Sequence, residues 1–60
     1  MTAAHALRTR AHDYELAARW HSERAEVDVG HVAAADACVA IAIVLREVAT
    51  VMESEDRLAA

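Results

Sequence analysis

Residues that interrupt helices are almost missing from this sequence, and their scarcity constrains the fold more than any other feature. Proline is absent, and Gly30 is the only glycine among 60 residues. Alanine, the strongest helix former, is the commonest residue, and arginine and glutamate are frequent. A helix can therefore continue on both sides of one turn near Gly30. The sequence predicts an all-α fold, a two-helix hairpin.

Capping residues indicate where the two helices begin. Thr2 is placed to cap helix one, because its hydroxyl can accept a hydrogen bond from a free backbone N–H of the first turn. Asp28 is placed to cap helix two, with Val27 and Val32 at the positions of a hydrophobic staple. We expect a single domain over residues 1–60, with helix one at about 3–24, the turn at about 25–28 and helix two at about 29–58.

Helix one carries a narrow stripe of mostly small apolar side chains. At about 100° per residue the stripe contains Leu7, Ala11, Tyr14, Ala18 and Ala25. Because these side chains form a small, flat face, another helix can approach it closely.

Leu16 and Trp20 lie one turn apart on nearly the opposite side of helix one. A lone hairpin would leave both exposed, so we predict that they bind a partner, since aromatic anchors dominate interface energetics. The alternative is that Trp20 folds over the end of the hairpin, because a long aromatic side chain can reach round a helix of small residues.

Helix two is unusually apolar in its first half, where Asp36 is the only charged residue between Val32 and Leu45. One stripe repeats at spacings of three, four, three and four residues, the a/d pattern of coiled-coil packing. A second patch faces almost the other way. The first stripe is Cys38, Ile41, Leu45, Val48 and Met52, and the second patch is Val32, Val39 and Ile43. We predict that all eight residues form an oligomer interface, since one helix of the same chain covers only one side.

Another copy of the chain is the simplest molecule to cover helix two. Two-fold dimers are the commonest oligomers, and two hairpins related in this way form a four-helix bundle. We therefore expect a homodimer or a higher oligomer. Burial in a membrane is disfavoured, because spanning takes about 20 predominantly apolar residues, and Asp36 and Arg46 lie within or beside the apolar run.

Charge disfavours nucleic acid as a partner. The net charge is −4, with four arginines against three acids in residues 1–25 and two arginines against seven acids in residues 26–60. Non-specific nucleic-acid affinity comes mostly from basic side chains on phosphates. Arg8 and Arg19 share a face of helix one, so a nucleic-acid-associated regulator remains an alternative.

A cytoplasmic location is expected. The first residues contain no apolar stretch of the kind a signal peptide requires. The single cysteine, Cys38, suits a reducing compartment.

Four histidines invite a metal interpretation, but their spacing does not support it. His5 and His12 are seven residues apart, which is about 10 Å along a helix and too far for one ion. His21 and His31 form, with Asp28, only a nonspecific cluster near the turn. We therefore predict no metal and no cofactor, and leave open, as an alternative, a metal or small-ligand site that forms only between subunits.

Catalytic motifs are also missing. The sequence has no phosphate-binding glycine loop, no serine nucleophile motif and no CxxC pair. Asp36 has two structural interpretations, an ion pair with Arg10 or Arg24, or an outward position beside Glu47. We predict no catalytic residue and no enzymatic activity.

The segment from His31 to Leu45, preceded by the amphipathic stretch Tyr14 to Trp20, resembles small Ala-rich helical-hairpin proteins of actinobacteria and their phages. Every Lys or Arg position holds arginine, a bias of GC-rich genomes. The resemblance implies a phage or prophage accessory protein that modulates a host protein, and it transfers no site residues. The leading hypothesis is a small cytoplasmic protein-interaction module that acts as a homo-oligomeric helical bundle.

Overall fold

The chain folds into two helices that pack against each other as a hairpin. A computed structural model describes residues 1–59, with α1 at Ala3–Glu23 and α2 at Gly30–Ala59. The prediction of an all-α, two-helix hairpin is confirmed. Ala60, the last residue of the expected domain, lies outside the described residues.

The two ends of α1 are closed by local hydrogen bonds. Thr2 is extended, and its hydroxyl accepts a hydrogen bond from the His5 N–H at 3.0 Å. At the other end the Arg24 N–H donates to the carbonyl of His21 at 3.0 Å. The capping role predicted for Thr2 is confirmed.

Asp28 caps the start of α2 as predicted, but the prediction of a hydrophobic staple between Val27 and Val32 is wrong. The Asp28 Oδ1 accepts a hydrogen bond from the Gly30 N–H at 2.9 Å. Val27 is 89% exposed and therefore cannot staple to Val32. The turn explains this, because the N–H groups of Val27 and Asp28 both donate to the Arg24 carbonyl and leave the Val27 side chain in solvent.

Gly30 serves the cap rather than an unusual backbone. Residues 1–59 contain no positive φ angle at glycine or elsewhere. A Cβ at position 30 would lie 3.3 Å from the Asp28 Oδ1 that accepts the Gly30 N–H. The glycine therefore leaves room for the capping carboxylate.

The interface between α1 and α2 is a seam of alanines, which we call the alanine seam. Within residues 1–59, every buried apolar residue is an alanine, and no polar or charged residue is buried. Each helix contributes three alanines at intervals of seven residues, so that they recur on one face. These are Ala4, Ala11 and Ala18 of α1, and Ala35, Ala42 and Ala49 of α2. Side chains this small let the helix axes approach closely.

Contacts between the helices show that they run antiparallel. Arg8 near the start of α1 pairs with Glu53 near the end of α2, and Glu15 pairs with Arg46. At the turn His21 lies against His31. The two ion pairs lie on one side of the alanine seam, which we call the ion-pair side.

The hairpin is a thin, elongated body. Its radius of gyration is 14.4 Å, whereas a compact domain of this length has about 10.4 Å. Its accessible surface is 4459 Å², against about 3,800 Å² for a compact monomer of 6.5 kDa. The two helices cover each other along one narrow face only, so most large apolar side chains remain accessible.

Candidate interaction surface and histidine pair

On the side of the hairpin opposite the ion pairs, the side chains that flank the alanine seam are apolar on both helices, and Arg10 of α1 lies at the outer edge. At about 100° per residue, a residue four before or three after a seam alanine flanks the seam on this side, and on α2 a residue one before a seam alanine lies farther out on the same side. We call this surface the apolar side. It comprises Leu7 and Tyr14 of α1, and Cys38, Ile41, Leu45, Val48 and Met52 of α2. The α2 part is the a/d stripe expected from the sequence.

Exposure increases outward across the apolar side. Cys38, Leu45 and Met52 are half-buried beside the alanine seam. Farther out, Ile41 is 40% exposed and Val48 is 43% exposed. A shallow depression of about 250 Å³ is lined by Ala40, Ile41, Val44 and Leu45. A side chain of another helix can enter such a depression in the manner of coiled-coil packing.

The second predicted patch lies on a different surface. Val32, Val39 and Ile43 are about half-exposed, at 48%, 47% and 52%. By helical position they lie on the side of α2 that carries Arg46 and therefore on the ion-pair side. The stripe and the second patch thus lie on two surfaces separated by the alanine seam, and their role in an oligomer interface stays a prediction.

The ion-pair side is held by two arginines. Arg46 donates to both carboxylate oxygens of Glu15, and this hydrogen bonding lowers the pKa of Glu15 and raises that of Arg46. Arg8 donates to the Thr50 hydroxyl at 3.2 Å and to the Glu53 carboxylate. Of the two arginines proposed to meet nucleic acid, Arg8 is thus engaged within the chain, while Arg19 is exposed.

A pair of histidines joins the two helices at the turn. The Nδ1 atoms of His21 and His31 are 2.8 Å apart, so one ring donates a hydrogen bond and the other accepts it. The ring centroids are 5.1 Å apart. Both residues are half-buried. We call these two residues the histidine pair.

Trp20 covers the histidine pair at the end of the hairpin. Its ring contacts His21 and His31 edge-on, with centroids 5.0 Å and 5.5 Å apart. The Arg24 guanidinium lies 3.8 Å from the Trp20 ring centroid, and Arg24 donates to the Trp20 carbonyl. Trp20 therefore folds over the hairpin end, which is the alternative that the sequence analysis gave to full exposure.

The pair predicted to bind a partner retains accessible surface. Leu16 is 49% exposed and Trp20 is 48% exposed. Their role in partner binding stays a prediction.

The remaining polar candidates stand apart from one another. His5 and His12 are exposed, and His12 Nδ1 lies 3.9 Å from Glu15. Asp36 is also exposed and, within residues 1–59, makes no ion pair with Arg10 or Arg24. In that same part of the chain, no three His, Cys, Asp or Glu side chains come close enough together to hold a metal ion.

The α2 half of the alanine seam is absent from the predictions made from sequence, and the histidine pair is present there only as part of a nonspecific cluster near the turn. The α2 half of the alanine seam carries a signal, since Ala35, Ala42 and Ala49 repeat at seven residues as Ala4, Ala11 and Ala18 do. The histidine pair has a weaker signal in the sequence. His21 and His31 lie at nearly equal distances from the turn, and antiparallel helices bring such positions together.

Comparison with known protein families, curated proteins and solved structures finds no match for this chain. Neither helix, over residues 1–59, has the length and apolarity that crossing a membrane requires.

Proposed function

We propose that the protein is a small cytoplasmic protein-interaction module that acts as a homo-oligomeric helical bundle. The observation that carries this proposal is the apolar side. From Cys38 to Met52 its α2 stripe holds no charged residue, and two of its members, Ile41 and Val48, are exposed to water by 40% and 43%. Contiguous apolar surface of this kind marks protein interaction sites.

The area of the hairpin supports a second copy as the covering molecule. Two separate hairpins expose twice 4459 Å², whereas a compact protein of twice the mass exposes about 6,300 Å². Pairing to normal compactness would thus bury roughly 2,600 Å² in total, which falls within the range of about 2,000–5,000 Å² typical of obligate homodimers. The second copy would supply the large apolar core that the alanine seam lacks.

Other exposed apolar residues leave room for further contacts. A dimer that uses the apolar side leaves Val32, Val39 and Ile43 exposed on the ion-pair side. A higher oligomer would cover them. Leu16 and Trp20 are our choice for contact with a different protein, which the resemblance to phage-encoded hairpins suggests is a host protein.

A pair of matched substitutions tests the proposal. Val48→Glu places a carboxylate on the apolar side, while Val51→Glu places the same group three residues away on the outer face of α2, where Val51 is 54% exposed. We expect Val48→Glu to weaken self-association at least tenfold in sedimentation equilibrium, because an unpaired buried charge is costly. Val51→Glu should stay within about threefold of the wild type. Equal effects, or a larger effect at Val51, would contradict the proposed interface.

A further inference from the structure

We propose that two copies of the chain bring their histidine pairs together and form a four-histidine site for a divalent transition metal such as zinc. This inference rests on the proposed self-association through the apolar side. In a single hairpin the histidine pair offers only two nitrogen ligands to a metal ion, and the second copy would supply two more.

The geometry of one pair supplies half of the donors. His21 and His31 point their Nδ1 atoms at each other, 2.8 Å apart, and share one proton. Neutral imidazole is a good ligand for zinc, copper and nickel. Around a tetrahedral zinc ion with Zn–N of about 2.05 Å, two nitrogens lie about 3.3 Å apart. The rings therefore need to separate by about half an ångström for the metal to lie between the two Nδ1 atoms. The proton that they share moves to Nε2 of the donor ring, so that both rings bind the metal as neutral imidazoles.

The histidine pair continues the apolar side to the end of the hairpin. His21 follows Tyr14 by seven residues, and His31 precedes Cys38 by seven residues. Each histidine thus occupies the position that its stripe would reach at the turn. Both are half-buried. A second hairpin that packs on the apolar side would lie over the histidine pair as well.

The charge distribution favours the dimer arrangement in which the two histidine pairs lie at the same end of the bundle. Two-fold dimers that stack the apolar sides place α1 against either the partner's α1 or the partner's α2. The half of the chain with α1 holds one excess positive charge, and the half with α2 holds five excess negative charges. Packing α1 against the partner's α2 avoids placing the two acidic helices side by side. In that arrangement the two-fold axis of the dimer runs parallel to the helices, and the turns of both copies lie at the same end of the bundle.

The surroundings of the turn favour a cation. Glu23, Glu26 and Asp28 outnumber Arg24 in this segment. The Arg24 guanidinium lies over the Trp20 ring and 3.9 Å from Glu23. No third donor joins the histidine pair within residues 1–59 of one chain. The second copy therefore completes the site.

Calorimetric titration of zinc chloride into untagged, EDTA-stripped protein tests the inference. We expect one zinc per two chains, and a loss of binding of at least tenfold in both His21→Gln and His31→Gln. His5→Gln and His12→Gln are matched controls, because both histidines are exposed on α1 away from the turn, and they should bind zinc like the wild type.

The wild-type stoichiometry decides the question even if a variant folds poorly. One zinc per chain, no binding at zinc concentrations up to 100-fold above the protein, or binding that persists in both turn variants would overturn the inference. Sedimentation in EDTA separates the two proposals. A dimer that binds no zinc overturns only the metal site, whereas a monomer with and without zinc overturns self-association as well.

Discussion

Glu15 is the carboxylate whose titration is tied most directly to the folded hairpin. Its hydrogen bonds from Arg46 hold the pKa of Glu15 below its ordinary value of 4.5, with a smaller contribution from His12. A carboxyl with a lowered pKa stabilises the fold above the unfolded pKa, and this contribution is lost as pH falls through the folded pKa. The effect is small, because the ion pair is exposed and screened by solvent.

We predict that Glu15→Gln lowers the thermal midpoint slightly at pH 7 and has a diminishing effect as pH falls below 4.5. Thermal unfolding followed by circular dichroism, at one protein concentration, measures this. Glu47→Gln removes an exposed carboxylate of α2 outside the ion pair and serves as the control. A difference between Glu15→Gln and the wild type that grows in acid would show that the ion pair is not its cause.

The packing of α1 against α2 depends on the small size of the seam residues. Ala42 is 3% exposed and lies in the middle of the α2 half of the seam. A leucine there has no cavity to occupy, so it must push the helices apart, and such overpacking typically costs about 1–3 kcal/mol. Ala33 is exposed on the same helix, and a leucine at that position meets no neighbouring helix.

We therefore predict that Ala42→Leu lowers the free energy of unfolding by about 1–3 kcal/mol in urea, while Ala33→Leu changes it by less than about 0.5 kcal/mol. Both proteins must be compared at one concentration, because oligomerisation shifts apparent stability. A free energy of unfolding for Ala42→Leu equal to that of the wild type would contradict the close approach of the helices at the alanine seam.

Sequence features that act within a few residues predict where the helices lie, whereas the residues that pack the two helices together are harder to predict. The lack of proline and the caps at Thr2 and Asp28 act within a few residues, and the structure confirms both caps. In α2 the large apolar residues dominate the sequence pattern, but a close helix pair selects small side chains such as Ala42. The stripe with the strongest signal therefore lies beside the hairpin interface and not within it.

The turn shows a second limit of sequence reasoning. The staple between Val27 and Val32 fails because the Arg24 carbonyl accepts from two successive N–H groups and sets the path of the turn. The contact between His21 and His31 depends on that same path. Positions across a hairpin can be matched only once the turn fixes the register.

At the scale of the whole molecule, the hairpin has little to stabilise it alone. Within residues 1–59 no side chain larger than alanine is buried, and small domains usually need disulfides, metals or oligomerisation. Cys38 is a free thiol. The proposed bundle would provide the missing core from the apolar side, and the proposed zinc site would join the two hairpins at one end.

A native mass spectrum of the untagged protein, recorded over a range of concentrations, tests the central claim of self-association most directly. The account predicts a dimer of twice 6.5 kDa, or an even multiple of the chain if the second patch is also covered. A chain that remains monomeric at micromolar concentration and above would contradict it, because the apolar side would then stand uncovered in water.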